Sequence, residues 1–139
     1  MKVGVIIVFL VILIVAILVL AWITSRSGGK ANLNQQKYRS DWLAIEQSVS
    51  KDNEASHHLA ILNADKLIDK ALRERGFSGN TMGERMKSAQ SIWSNSNHVW
   101  TAHKIRNQIA HESDVKVGYD NVRRSLAAFK QALKDVGAI

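Results

Sequence analysis

The sequence predicts an all-α protein in which one N-terminal transmembrane helix is followed by a bundle of four or five helices. Residues 5–23 form an apolar run without a charged side chain, and the chain contains no proline. Beyond this run, apolar residues recur at spacings of three and four, which is the period of an amphipathic helix. We therefore predict a transmembrane anchor over residues 1–24, a flexible tether over 25–32 and one helical domain over 33–139.

The apolar run is long enough to cross a membrane. At about 1.5 Å per residue, residues 5–23 span about 28 Å, close to the thickness of a bilayer core. Trp22 lies at one end of the run, where aromatic rings prefer the headgroup level. A cleaved signal peptide is the alternative, but its apolar segment is usually about 7–15 residues long and ends at a small-x-small cleavage site. Leu20-Ala21-Trp22 does not provide such a site, so we expect an uncleaved anchor.

The charges that flank the run predict its orientation. Lys2 is the only side-chain cation before it, whereas four cations follow it before the first acid, Asp41: Arg26, Lys30, Lys37 and Arg39. The positive-inside rule then places the N-terminus outside the cytoplasmic (inner) membrane and the domain in the cytoplasm. The absence of cysteine agrees, because small extracellular domains are often stapled by disulfides. The net charge of +7 suits an anionic partner, either RNA or the anionic cytoplasmic leaflet.

Two amphipathic helices are predicted at the start of the domain. The first covers residues 33–50 and the second covers 55–75, with Gly76 as its stop signal. Asp65 falls inside the apolar stripe of the second helix, where a carboxylate without a partner is strongly unfavourable or gives up its charge. We expect Arg106 to be that partner. The alternative is that Asp65 lies at the edge of the bundle and reaches water.

The rest of the domain predicts one short helix and two longer ones. Thr81 and Glu84 match a capping box and predict a short helix that ends at Ile92 or Trp93. A central helix is predicted over residues 97–112. The last helix is predicted from an apolar seam at spacings of four and three: Val122, Leu126, Phe129, Leu133 and Val136.

The predicted central helix carries the side chains best suited to binding or catalysis. Its apolar side holds Val99, Ala102, Ile105 and Ile109, and its polar side holds His103, Arg106, Asn107 and His111. His103, Asn107 and His111 are four residues apart and therefore lie on one stripe. Arg106 lies about 140° around the helix from His111, so one helix cannot easily hold a small group between the two. Two copies packed antiparallel can, which predicts a homodimer.

These residues also carry a resemblance to a known family. Arg106-Asn107-(x)3-His111 resembles the Arg-polar-x-x-x-His signature of the HEPN superfamily, which comprises small helical bundles found in many RNases, toxins and defence proteins. The run from Lys104 to Glu112 is also similar to the penultimate helix of several HEPN-like families. The resemblance implies an HEPN-like bundle in which Arg106 and His111 gather at a dimer interface. It further implies cleavage of RNA without metal, with the ribose 2′-hydroxyl attacking the adjacent phosphate.

The resemblance assigns catalytic roles to three residues. His111 would act as general base toward the 2′-hydroxyl or as general acid toward the leaving oxygen, because imidazole titrates near neutral pH. Arg106 would neutralise the charge that develops on the phosphate. Asn107 would orient the imidazole ring or hold a phosphate oxygen. The structural alternative is that Arg106 ties helices together through Asp65 or backbone carbonyls and that His111 caps the C-terminus of its helix.

No metal or other cofactor is expected. His103, Asn107 and His111 have a spacing that could hold a transition metal, but a zinc enzyme would need a third strong ligand and a glutamate base. His57 and His58 have no acidic or cysteine partner at ligand spacing and are expected at the surface.

The predicted function is that of a membrane-anchored, metal-independent endoribonuclease of the toxin, stress or defence type, acting as a homodimer on RNA. The alternative is a non-catalytic, membrane-tethered helical module that dimerises or recruits a protein partner. The sequence identifies neither an antitoxin nor another protein partner.

Overall fold

The computed structural model describes residues 2–26 and 32–139, which divide into one unit up to Lys30 and a second from Ala31 onward. The first unit is helix α1, Lys2–Arg26. Its segment Val3–Trp22 is apolar, with a mean hydropathy of 3.7, and is long enough to cross a membrane. The predicted N-terminal apolar helix is therefore confirmed. Of the predicted tether, residues 25–26 belong to α1, and residues 27–31 lie outside the described residues.

The second unit is a bundle of five helices, and the described residues contain no strand. The all-α prediction is therefore confirmed. The helices are α2 (Gln35–Ser48), α3 (Glu54–Glu74), α4 (Met82–Ser88), α5 (Ser96–His111) and α6 (Tyr119–Val136).

Helix α3 is the centre of the bundle and packs against each of the other four helices. Its apolar stripe is fully buried at Ile61, Ile68 and Leu72. All five residues of the predicted α6 seam, from Val122 to Val136, are also buried. Among the described residues, the buried hydrophobic core extends from Tyr38 to Ala138. The bundle thus has its own core and meets the main requirement for folding without α1.

The helix ends follow the signals in the sequence, with one exception. Gly76 ends α3 with a φ of 83°, and the Phe77 amide donates to the Leu72 carbonyl at 3.0 Å, which is a Schellman motif. The predicted capping box of Thr81 and Glu84 is present at the start of α4. Asn95 caps α5 by accepting a hydrogen bond from a backbone amide.

Helix α4 is shorter than predicted, since it ends at Ser88. The indole Nε1 of Trp93 donates to the Met86 carbonyl at 3.0 Å, which occupies an oxygen that a longer α-helix would offer to the Gln90 amide. That amide bonds the Lys87 carbonyl instead. The chain therefore tightens into turns after α4, and Trp93 folds back onto the core.

The expectation that His57 lies at the surface is wrong. Its side chain is buried, with 3% of the residue exposed. Nδ1 lies 2.8 Å from the Val117 carbonyl oxygen, and Nε2 lies 2.8 Å from the Ser50 carbonyl oxygen. His57 therefore links the segment before α3 to the segment before α6. His58 is partly exposed, and its Nε2 lies 3.7 Å from Glu54, so the expectation that it has no acidic partner is also wrong.

Candidate functional site

A groove of about 730 Å³ runs along the polar side of α5. We call it the polar groove. One wall is formed by polar residues of α5: His103, Lys104, Arg106, Asn107 and His111. The other wall is formed by Asp69 of α3, by residues 80–83 around the start of α4, and by Arg85. All four polar residues that the sequence singled out in the central helix therefore line one groove of one chain.

The innermost interaction of this region joins α3 to α5. Asp65 is 2% exposed, so it is not at a solvated edge, and its Oδ1 lies 2.7 Å from Nδ1 of His103. His103 is itself buried, with 7% of the residue exposed. A carboxylate can only accept, so the hydrogen of this bond is on Nδ1 of the imidazole. The closest partner of Asp65 is therefore His103, which the sequence argument had not assigned to it.

Asn107 continues the contact from His103 to Arg106. The amide nitrogen of Asn107 lies 3.3 Å from Nε2 of His103, and its amide oxygen accepts from Nη1 of Arg106 at 3.0 Å. Because a guanidinium has only donors, it requires the oxygen of the Asn107 amide and leaves the NH₂ group for His103. Nε2 of His103 then accepts, so an imidazole with a single proton on Nδ1 satisfies both contacts.

Arg106 closes the set of contacts back to Asp65. Its Nε lies 3.3 Å from Asp65 Oδ2, which is within ion-pair distance but not a hydrogen bond. Among the described residues, this Nε has no hydrogen-bond partner. The Arg106 side chain is 34% exposed. We refer to Asp65, His103, Asn107 and Arg106 as the polar ring. It holds the guanidinium at the wall of the groove, with its inner edge toward a buried carboxylate.

His111 differs from the members of the polar ring because it is exposed. It is the last residue of α5, where the helix dipole favours a cation. Lys104, one turn after Trp100, is also exposed on this wall. Their spacing on one helix predicts that Arg106 and His111 come together only across two chains. In the structure, both residues line one groove of one chain.

A second ion pair on the opposite wall was missed by the sequence argument. Nε of Arg85 lies 2.6 Å from Oδ1 of Asp69, and Nη1 of Arg85 donates to the Gly79 carbonyl at 2.6 Å. The Arg85 side chain is only 10% exposed, so this pair fixes the start of α4 on α3. Asp69 follows Asp65 by one helical turn, and this repeat beside the apolar stripe was the available signal.

The arrangement limits what the groove can bind. Within the described residues, no three or more His, Cys, Asp or Glu side chains come together as a metal site. A metal held by His103, Asn107 and His111 would also have to displace a partner of His103, since both its ring nitrogens are engaged. Lys104 and Arg106 instead present positive charge to the groove, which suits a phosphate oxygen.

Comparisons of the chain with protein-family models, with curated proteins and with solved structures found no match. The resemblance to the HEPN superfamily therefore rests only on the Arg106–His111 motif and the run from Lys104 to Glu112 around it.

Proposed function

We propose that this protein is a membrane-anchored, metal-independent endoribonuclease whose active site is the polar groove. The observation that carries the proposal is that Arg106 and His111 line one groove together with Lys104. A cation can stabilise the charge on the phosphate and an imidazole can transfer a proton, and both assist phosphodiester transfer within RNA. The HEPN-like motif supports the same chemistry.

In the proposed reaction, the RNA backbone lies along α5 with one phosphate at Arg106. The ribose 2′-oxygen forms a bond to phosphorus and gives up its proton, while the bond to the 5′-oxygen breaks and that oxygen takes up a proton. His111 transfers one of these protons, as base or as acid, and solvent water accepts or supplies the other. Arg106 stabilises the negative charge on the phosphate oxygens. The products are a 2′,3′-cyclic phosphate and a 5′-hydroxyl.

The remaining members of the polar ring would position rather than react. Asn107 holds Arg106 from one side, and Asp65 restrains it from the other. His103 orients Asn107 through its Nε2 nitrogen. A guanidinium fixed in this way needs little reorganisation when charge develops on the phosphate, which is the basis of electrostatic catalysis.

In the same proposal, α1 spans the inner membrane with its N-terminus outside, and the bundle acts in the cytoplasm. The apolar helix and the excess of cations after it support this orientation. Protease added to spheroplasts should leave a C-terminal tag intact. Digestion of the tag by protease added from outside would contradict this topology. The bundle would then face away from the cytoplasm and have no access to cytoplasmic RNA.

A homodimer remains part of the proposal, as the resemblance implies. Support for it comes from the separation of Arg106 and His111 by about 140° around α5, which one helix does not close.

The polar ring itself favours a second candidate, a non-catalytic module that dimerises or recruits a partner at the membrane. The side chains of the ring are largely hydrogen-bonded to one another, and Asp65 and His103 are buried. A ring of this kind can tie α3 to α5 without any chemistry.

Cleavage of RNA by purified residues 31–139, with EDTA present, separates the two candidates. The ribonuclease proposal predicts products that end in 2′,3′-cyclic phosphate, because the nucleophile belongs to the RNA. A folded fragment that leaves structured and single-stranded RNAs intact would contradict the proposal and favour the module.

A further inference from the structure

A second groove, of about 670 Å³, lies between α5 and α6. We call it the α5–α6 groove. It shares no lining residue with the polar groove. Its floor is apolar and formed by short side chains and by one partly buried isoleucine: Val99, Ala102, Ile105, Ala128 and Ala132. The shape suits a helix, since small side chains along a floor allow a second backbone to approach closely.

The outer edge of this groove is one stripe of α6. Arg124, Ala128, Gln131 and Asp135 follow one another at spacings of four, three and four. At about 100° per residue they lie within about 60° of one another around the helix. An alternation of three and four is the spacing of the contact positions in a pair of packed helices. This stripe is therefore the part of α6 most suited to contact another helix.

The two charges of the stripe lie at its opposite ends. Arg124 and Asp135 are three helical turns apart, about 16 Å along the axis, so they cannot pair with each other within one helix. Asp135 accepts hydrogen bonds from the backbone and hydroxyl of Ser94, at 2.9 and 3.0 Å, and from Gln131 at 3.0 Å. None of these partners is a cation. These hydrogen bonds fix the Asp135 carboxylate at the edge of the α5–α6 groove but do not neutralise its negative charge.

We propose that the α5–α6 groove is the docking surface for a second copy of this chain, with the two α6 helices antiparallel. A two-fold axis midway between Ala128 and Gln131 places Arg124 opposite the partner's Asp135, and this contact occurs twice. The same axis places Ala128 opposite the partner's Gln131, a small residue facing a larger one. A parallel pair would oppose arginine to arginine and aspartate to aspartate, which is unfavourable.

This dimer differs from the arrangement that the family resemblance implies, because its axis lies on α6 rather than at Arg106 and His111. The polar groove of each protomer stays open, since none of its residues lines the docking surface. The inference does not depend on ribonuclease activity, and its test measures mass rather than cleavage. A monomeric fragment would overturn this docking surface and also the homodimer of the proposed function, but not the assignment of the cleavage residues. Absence of cleavage would leave the docking surface unaffected.

Sedimentation of residues 31–139 over a range of concentrations tests the docking surface. The parent fragment should show a concentration-dependent dimer. Arg124→Glu should raise its dissociation constant by about ten-fold, because two ion pairs turn repulsive while exposed pairs are individually weak. Arg123→Glu is the matched control, since it makes the same charge change on the next residue, which does not line the groove. It should leave the dimer within about two-fold of the parent.

Charge exchange provides the second arm. Arg124→Glu combined with Asp135→Lys should restore much of the affinity that Arg124→Glu removes. Circular dichroism and denaturation of each variant are needed, because Asp135→Lys also loses the contacts with Ser94. A parent fragment that stays monomeric at millimolar concentration would overturn the proposal. So would a folded Arg124→Glu fragment that dimerises as well as Arg123→Glu.

Cysteine cross-linking of the full chain in membranes is an independent test, because the sequence contains no cysteine of its own. Residue 131 lies beside the proposed axis. A short bifunctional maleimide should therefore cross-link Gln131→Cys to the same residue of the second copy. Arg123→Cys, on the same helix away from the stripe, should not be cross-linked. Equal cross-linking of the two variants would contradict the proposed surface.

Discussion

Two histidines of α5, His103 and His111, stand two helical turns apart on the same stripe, but their surroundings differ. His103 faces α3, where it is buried and held between Asp65 and Asn107. His111 is exposed at the last residue of the helix, where the groove is open. The difference arises from packing, because α3 passes close to the middle of α5. One end of the polar stripe thus builds the fold, and the other end is available for chemistry.

Arg106 lies between these two environments. Its inner edge faces Asp65, while about a third of its side chain is exposed to the groove. A substitution there would disturb the fold and the proposed chemistry together. The contrast between the two histidines is therefore best tested with variants at the two ends of the polar stripe. The effects of such variants on stability and on cleavage can be measured separately.

The largest effect on stability is expected at the buried end. Asp65→Ala leaves the Nδ1–H of His103 and the guanidinium of Arg106 without their carboxylate. We expect a loss of about 2–3 kcal/mol in the free energy of unfolding, since a buried donor that loses its hydrogen-bond partner costs about 1–3 kcal/mol and the guanidinium also loses a nearby negative charge. Chemical denaturation of residues 31–139 measures it.

The control for this prediction is Asp41→Ala, which removes a carboxylate from a surface pair with Lys37. It should cost about 1 kcal/mol or less. If the loss for Asp65→Ala is no larger than for this control, the polar ring does not hold α3 to α5, and the contrast between the two histidines fails.

A smaller effect on the free energy of unfolding is expected outside the polar groove. It concerns a buried side chain that contacts an accessible carboxylate. The hydroxyl of Tyr38 donates to Glu74 at 2.7 Å. Burial, with this hydrogen bond and the nearby Glu74 charge, raises the pKa of Tyr38 above its usual range. Tyr38→Phe should cost about 1 kcal/mol at neutral pH, the usual net contribution of one hydrogen bond.

The sign of the pH dependence at Tyr38 follows from the direction of the shift. The folded state binds this proton more tightly than the unfolded state, whose tyrosine has a pKa of about 10. The stabilisation is fully present below that pH and is lost as pH rises toward the folded pKa. The difference in unfolding free energy between parent and Tyr38→Phe should therefore shrink above about pH 10. A difference that stays constant to higher pH would contradict the assigned shift.

The fold was largely predictable because it follows from apolar spacing. The α6 seam and the α3 stripe are periodic in the sequence and buried in the structure. The position of Asp65 inside such a stripe was enough to predict a buried carboxylate in need of a partner. The capping box and Gly76 marked helix ends because their signals involve neighbouring residues only.

The details of the polar ring depend on contacts between helices, which spacing alone does not give. His103 is four residues after Val99 and directly follows Ala102, so it borders the apolar face as closely as the polar one. Its pairing with Asp65 was decided by how α5 is rotated against α3. His57 was misassigned for a related reason: its partners are two backbone carbonyls, at Ser50 and Val117, and no side-chain motif reveals them.

The most direct test of the central claim is the effect of His111→Ala on cleavage and on stability in the same preparation. Because His111 is exposed at the helix end, the variant should keep its free energy of unfolding within about 0.5 kcal/mol of the parent. Its EDTA-resistant cleavage of RNA should fall by about 100-fold or more, the usual contribution of a general acid or base. His98 is an exposed histidine of the same helix that lines the α5–α6 groove and not the polar groove. His98→Ala should cleave like the parent when both are assayed at a concentration that gives the same oligomeric state. A folded His111→Ala protein that cleaves RNA as fast as the parent would contradict the claim that this end of the stripe performs the chemistry.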